Sequence, residues 1–220
     1  TIPVKKLEHS NFFILLANSY ARMGWFNEAT ELFEAMMVRG SNESTLLNDY
    51  GAALLNQMMT ERRIHKEKLD QARKLIFEAF KFDKKVSEDF YTYPAYKNLC
   101  YLRVIEAIGY YNVKEAFTAF VLGWMSIEMT VRRIWFKFIK NMIPDVSKEK
   151  LDRLMRWDIE LIVEALFLGQ VDKSFMEVKS HLDILRGIRN DLLHGKIDNP
   201  TYGNAELCID VAHRLIPILQ

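Results

Sequence analysis

The sequence predicts an all-α protein. Proline and glycine are scarce, with 5 and 9 residues among 220, so few positions interrupt a helix. No stretch alternates apolar and polar residues for long enough to make a strand. Apolar residues recur instead at three- and four-residue steps, the period of a helix with one buried face. Half of the residues are hydrophobic and 27% are charged, a globular composition, and the length suits one large domain or two small ones with a buried core.

The elements follow in order. The first helix begins after Ser10, runs through NFFILLANSYARMG and stops at Gly24, where a glycine can take the left-handed turn that ends a helix. The second, NEATELFEAMMVRG, has Asn27 as its N-cap and ends at Gly40. A further pair reads ESTLLNDYGAALLNQMM and KEKLDQARKLIFEAFKFD. Then comes a helix broken between Gly109 and Asn112, followed by one long helix to Asn141. GWFNEATELF, from Gly24, is echoed by GYYNVKEAFTAF, from Gly109, and LDQARKLIFEAF matches the second half of the same unit. Small residues (Ala17, Ala29, Gly51, Ala72, Ala116) suit the crossings of stacked hairpins, and Tyr20, Phe33 and Ile76 suit the space between them. Leu16, Ala17, Tyr20, Gly24, Phe26, Ala29, Phe33 and Met36 fall at the signature spacings of the tetratricopeptide repeat, which this segment resembles. Two to three degenerate repeats over residues 8–120 account for the pattern. The second carries about nine extra residues around MMTERRIHKEK, between its helices. A generic helical bundle is the alternative.

The character changes at Ile143. MIPDVSKEK is a loop, with Pro144 as breaker and Asp145 or Ser147 as the next cap. KEKLDRLMRWDIELIVEALFL, KSFMEVKSHLDILRGIRNDLLH and AELCIDVAHRLIPIL then read as three helices. With the long helix from Val113 they make four, the number of an antiparallel bundle. The expected organisation is therefore helical-hairpin repeats over residues 1–112 and a bundle over residues 113–220, with the boundary in or just before a shared helix.

Bulk charge and motifs exclude several functions. The formal net charge of +1 gives no overall attraction to nucleic acid, so any such contact needs a local patch. Cys100 and Cys208 lie among apolar residues and form no CxxC pair, which suits buried free thiols in a reducing cytoplasm. No apolar run reaches membrane-spanning length, and no signal peptide is visible. The chain lacks an initiator Met and begins at Thr1, as a trimmed chain or a piece of a longer protein would. GxGxxG, P-loop, GxSxG and HExxH patterns are all missing, against the common nucleotide-binding, hydrolase and zinc-protease classes. No metal and no cofactor is expected.

One stretch carries chemistry: RGIRNDLLHG, Arg186 to Gly195. On a helix, Leu182, Leu185, Ile188 and Leu192 form a buried seam. Arg186, Asn190 and His194, at i, i+4 and i+8, form a polar stripe beside it, toward which Arg189 can swing. A guanidinium binds phosphate oxygens and stabilises developing negative charge. An imidazole moves protons near neutral pH, and an amide orients either. The competing reading is a solvated helix end. There the macrodipole favours the histidine and Asp191 pairs with the arginines. ERRIHKEK and VRRIWFKFIKN offer basic residues, the second with aromatics that suit a core better than a stacking surface. EDFYTYPAYKN offers tyrosines for a repeat groove or for packing.

LDILRGIRNDLLHG resembles the motif of the HEPN superfamily (higher eukaryotes and prokaryotes nucleotide-binding): arginine, a polar residue, a short spacer and histidine. These are here Arg189, Asn190, Asp191 to Leu193, and His194. The helix order over residues 113–220 is similar, and Glu128, after Trp124, stands where many such domains carry an acid. The resemblance implies an endoribonuclease that dimerises through its bundle and cuts RNA without metal, by attack of the 2′-hydroxyl on the adjacent phosphate. It implies roles for His194 on the proton, Arg189 on the phosphate and Asn190 in positioning. Arg186 would extend the phosphate surface. Glu128 is assigned by position only, and equally pairs with Arg132, four residues on. A toxin–antitoxin or antiviral defence setting is implied by the same resemblance. The alternative function is a non-catalytic adaptor, dimeric through the bundle and docking a protein or RNA on the repeats.

Overall fold

A computed structural model describes residues 10–38, 43–86 and 89–219. Gly40, expected to end the second helix, lies outside the described residues. Among them are ten α-helices, two 3-10 turns and no strand. The chain is all-α. The helices are α1 (Ser10–Arg22), α2 (Phe26–Val38), α3 (Ser44–Thr60), α4 (Lys66–Val86), α5 (Pro94–Asn112), α6 (Ala116–Met142), α7 (Lys148–Met155), α8 (Ile159–Leu168), α9 (Lys173–Leu193) and α10 (Tyr202–Leu215). They form two compact units, Thr1–Leu102 and Arg103–Gln220, and the division falls inside α5.

In the first unit, α1 pairs with α2 and α3 with α4. Ala17, Ala29 and Phe33 are fully buried, and the Phe33 ring stacks on Tyr50 at 5.2 Å. α1 ends as expected: Gly24 has φ +81°, and the Trp25 N–H reaches back to the Tyr20 carbonyl. Asn27, however, lies inside α2. The Trp25 carbonyl accepts from the Ala29 N–H, so the helix has already begun at Phe26. At the α3–α4 crossing a Cβ on Gly51 would lie 2.6 Å from Ile76 Cγ1, so only glycine fits there without repacking. The extra residues of this pair are not a long connection. α3 and α4 extend to 17 and 21 residues, leaving only residues 61–65 between them. Each added turn supplies its own backbone hydrogen bonds, which a loop must find elsewhere. Asn18 donates to Asp49, and Asn98 to Asn48, which joins α1, α3 and α5 by a polar chain.

In the second unit, α6 packs on α10 and α8, and α9 packs on both of these. The expected helix 148–168 is two helices. Arg132 Nη1 donates to the Met155 carbonyl at 2.9 Å, Trp135 Nε1 donates to the Leu154 carbonyl at 3.0 Å, and Trp157 stacks on Trp135. These three contacts satisfy the end of α7 and turn the chain, and the Asp158 carboxylate then caps α8. The extra helix reverses the direction of everything after it. Contacts along α6 and α10 run from Lys114, just before α6, on Tyr202, through Gly123–Cys208, to Lys137 on Leu219, just after α10. α10 therefore lies parallel to α6, and the antiparallel four-helix order expected from sequence is corrected. Among α6, α8, α9 and α10, α9 runs against the others, with Lys179 on Glu164 and Arg186 on Glu160 of α8, and Glu177 on Arg214 of α10. The core is Phe120, Ile127, Ile162, Leu166, Phe175, Leu182 and Leu185 with the buried face of α10. Each such side chain contributes about 1.5–3 kcal/mol by leaving water. Burial also pushes the Cys208 thiol well above its usual range, as an inert core group.

Candidate functional site

The site is built at the C-terminal end of α9. Asp172 starts the helix, its carboxylate accepting from Ser174 and Phe175 N–H groups. Phe175, Val178, Leu182 and Leu185 bury one face. Ile188 and Leu192 continue that face half-buried, as it nears the open end. His194 is the C-cap, and Gly195, at φ +64°, turns the chain away, with the Lys196 N–H donating to the Asp191 carbonyl at 2.8 Å. The loop to α10 is tied down at its far end. Pro200 is buried, Thr201 caps α10, and the Tyr202 hydroxyl donates to the Lys114 carbonyl.

Arg189 and Asn190 are brought together: Arg189 Nη1 donates to Asn190 Oδ1 at 3.0 Å. Arg189 has no carboxylate at ion-pair distance among the described residues. His194 is exposed, about 7.5 Å along the helix axis from Arg189 at the usual rise per residue. Arg186 instead turns to α8 and meets Glu160 at 2.8 Å. Asp191 is paired with Lys196 at 3.1 Å and not with an arginine. Glu128 is engaged by Arg132 at 2.9 Å, the i,i+4 partner that its spacing offers. Its link to the rest of the site runs through Arg132, which holds the corner before α8, and through Glu160 beyond that corner.

Sequence reasoning missed Glu160. The only local signal was Asp158, a capping residue two positions earlier. A cavity of about 10 Å³, the size of one water, lies beside Arg186 and is lined also by Trp124, Ile127, Ile159 and Leu182. Of the aromatics of VRRIWFKFIKN, Trp135 and Phe136 are buried core, and Phe138 is half-buried and stacked on Trp135. His65 of ERRIHKEK faces Glu61 across 3.4 Å on its own turn. Among the described residues no group of three or more histidine, cysteine or acidic side chains is arranged to hold a metal ion, and no helix is long and apolar enough to cross a membrane.

The arrangement offers an uncompensated guanidinium, an amide that orients it, and a solvent-facing imidazole, all on one helix end. That set can hold a phosphate and move a proton. Comparison of the chain with protein-family models, with curated proteins and with solved structures finds no match.

Proposed function

We propose that this chain is a HEPN-type endoribonuclease that needs no metal ion and whose cleft is completed by a second copy. The observation that carries the reading is Arg189: a guanidinium with no carboxylate partner, held by Asn190 five residues before an exposed histidine. A cation left unneutralised on the same helix end as an exposed imidazole suits a phosphodiester better than it suits stability. In the proposed step, one His194 takes the proton of a 2′-hydroxyl as its oxygen attacks phosphorus. The His194 of the second copy gives a proton to the departing 5′-oxygen. The O2′–P bond forms and the P–O5′ bond breaks, leaving a 2′,3′-cyclic phosphate and a 5′-hydroxyl. Arg189 offsets charge on the phosphate oxygens throughout. Arg186 lies on the same stripe, and Glu128 supports the site through Arg132.

The test is cleavage of a labelled structured RNA pool in EDTA by wild type, His194→Ala and Arg189→Ala, each checked for folding and dimerisation. Wild type cuts and leaves cyclic-phosphate ends. The histidine variant loses about 10²-fold or more, the usual worth of general acid–base catalysis. Equal cutting by all three refutes the assignment. A second reading, the adaptor, is favoured by the ion pairs that neutralise Arg186 and Lys196. It predicts no cutting by any of the three, with a stable dimer and a protein partner on the N-terminal hairpins.

A further inference from the structure

We infer that Glu160 competes with substrate phosphate for Arg186, so that Arg186 joins the Arg189–Asn190–His194 set only when Glu160 releases it. The inference rests on the ribonuclease reading and names a residue that reading does not contain.

The geometry is specific. Arg186, Asn190 and His194 share one stripe of α9, yet the Arg186 guanidinium is drawn sideways onto Glu160 Oε1 at 2.8 Å. Its other near acid, Asp183, lines the same cavity and is occupied by Lys179 at 2.8 Å. Among the described residues Glu160 is thus the carboxylate that neutralises Arg186. Arg189, three residues on, keeps its charge.

Glu160 is fixed from behind. It sits in the first turn of α8, where the helix dipole favours a carboxylate. Its own N–H is held by Asp158 at 2.9 Å, and the corner before it is pinned by Arg132 and Trp135. The pair itself is open to water, with Glu160 53% and Arg186 26% exposed. An exposed pair of this kind is weak, and a phosphate offers the same guanidinium two oxygens in matching geometry. A backbone phosphate arriving at Asn190 can therefore take Arg186 from Glu160. The carboxylate in turn raises the threshold for anions that touch only this one arginine.

The test is binding of a short fluorescein-labelled 2′-O-methyl oligouridylate, which cannot be cut, to the full chain by anisotropy over a salt series. The proteins are wild type, Glu160→Gln, and Glu160→Gln with Arg186→Gln. Glu160→Gln keeps the Asp158 cap and is checked by far-UV circular dichroism. It is expected to bind about two- to five-fold tighter. Its slope of log K against log salt steepens by about 0.7, the value for one more phosphate contact on a single strand. The double variant loses both gains. If wild type binds and Glu160→Gln changes neither affinity nor slope, or the double variant keeps the gain, the inference is overturned and the ribonuclease reading stands. If no protein binds and none cuts RNA, the reading itself fails and takes the inference with it.

Discussion

Gly51 and Gly187 allow one substitution, glycine to alanine, to be tried in two surroundings that the structure makes opposite. Both lie inside helices, α3 and α9. In each, alanine gains about 1 kcal/mol of helix propensity, because glycine loses more backbone freedom on folding. At Gly187 a Cβ meets nothing within 4 Å, so the whole gain survives. At Gly51 the same atom comes to 2.6 Å from Ile76 Cγ1 and 3.2 Å from Cδ1. Carbon atoms prefer about 3.5–4.0 Å. Ile76 is fully buried, and Cγ1 is not the free end of its side chain, so the helices must part or the rotamer must strain. Overpacking of this kind costs about 1–3 kcal/mol. Chemical denaturation followed by far-UV circular dichroism should therefore show Gly187→Ala more stable than wild type. Gly51→Ala should fall below Gly187→Ala by about 1–3 kcal/mol. Adding Ile76→Ala, itself costly through its cavity, should make Gly51→Ala favourable in that background, a coupling that a double-mutant cycle measures directly. Equal gains at both glycines would refute the crossing geometry.

Two further stability predictions follow from local geometry. Lys114 holds φ +66° in the turn before α6, and the Glu115 N–H reaches back to the Tyr110 carbonyl, as the Trp25 N–H reaches Tyr20 after Gly24. Lys114→Gly should relieve the left-handed strain and raise the melting temperature, worth about 1 kcal/mol, while Gly24→Ala should lower it by a similar amount. Burial pushes the Asp49 carboxyl above its usual range, against the opposing hydrogen bonds from Asn18 and Asn48 and the charge of Arg22. The folded state then holds the proton more tightly than the unfolded chain, so stability falls as pH rises from the ordinary carboxylate value through the raised one. Asp49→Asn should be more stable than wild type at neutral pH, and the difference should shrink as the solution is acidified; a gain independent of pH would remove burial as the cause.

The helices were legible because their information is local. Apolar spacing marks α1 to α6, Gly24 marks the first turn, and Asp172 stands where the loop before α9 ends. What sequence did not show came from contacts between distant residues. The α7–α8 break has no proline or glycine, and the apolar period runs on through LMRWDIELI. The break is made by Arg132 and Trp135, some twenty residues earlier, taking the carbonyls of Leu154 and Met155. The echo of the first hairpin was aligned on Gly109, yet the residue that repeats the Gly24 turn is Lys114. A lysine in that conformation carries no signal in sequence. At the site the same division holds. The stripe on α9 and the Glu128–Arg132 pair follow from i,i+4 spacing, whereas Glu160 comes from another helix and reaches Arg186 only through the turn that local spacing could not show.

That turn bears on the choice between the two functional readings. Without it, Arg186 and Arg189 would both be free, and the end of α9 would be a plain basic patch. With it, Arg186 is paired with Glu160, while Lys196 is paired locally with Asp191, which leaves Arg189 as the guanidinium of this helix end without a carboxylate. A protein that binds RNA by charge alone gains from every free cation, because each phosphate contact releases counterions. A chain that neutralises all but one guanidinium beside its histidine forgoes that gain. The arrangement suits a site where one phosphate must be held and general retention of RNA is a cost. On the proposed ribonuclease reading, the attraction of a near-neutral chain for a polyanion is confined to the place where the bond would break.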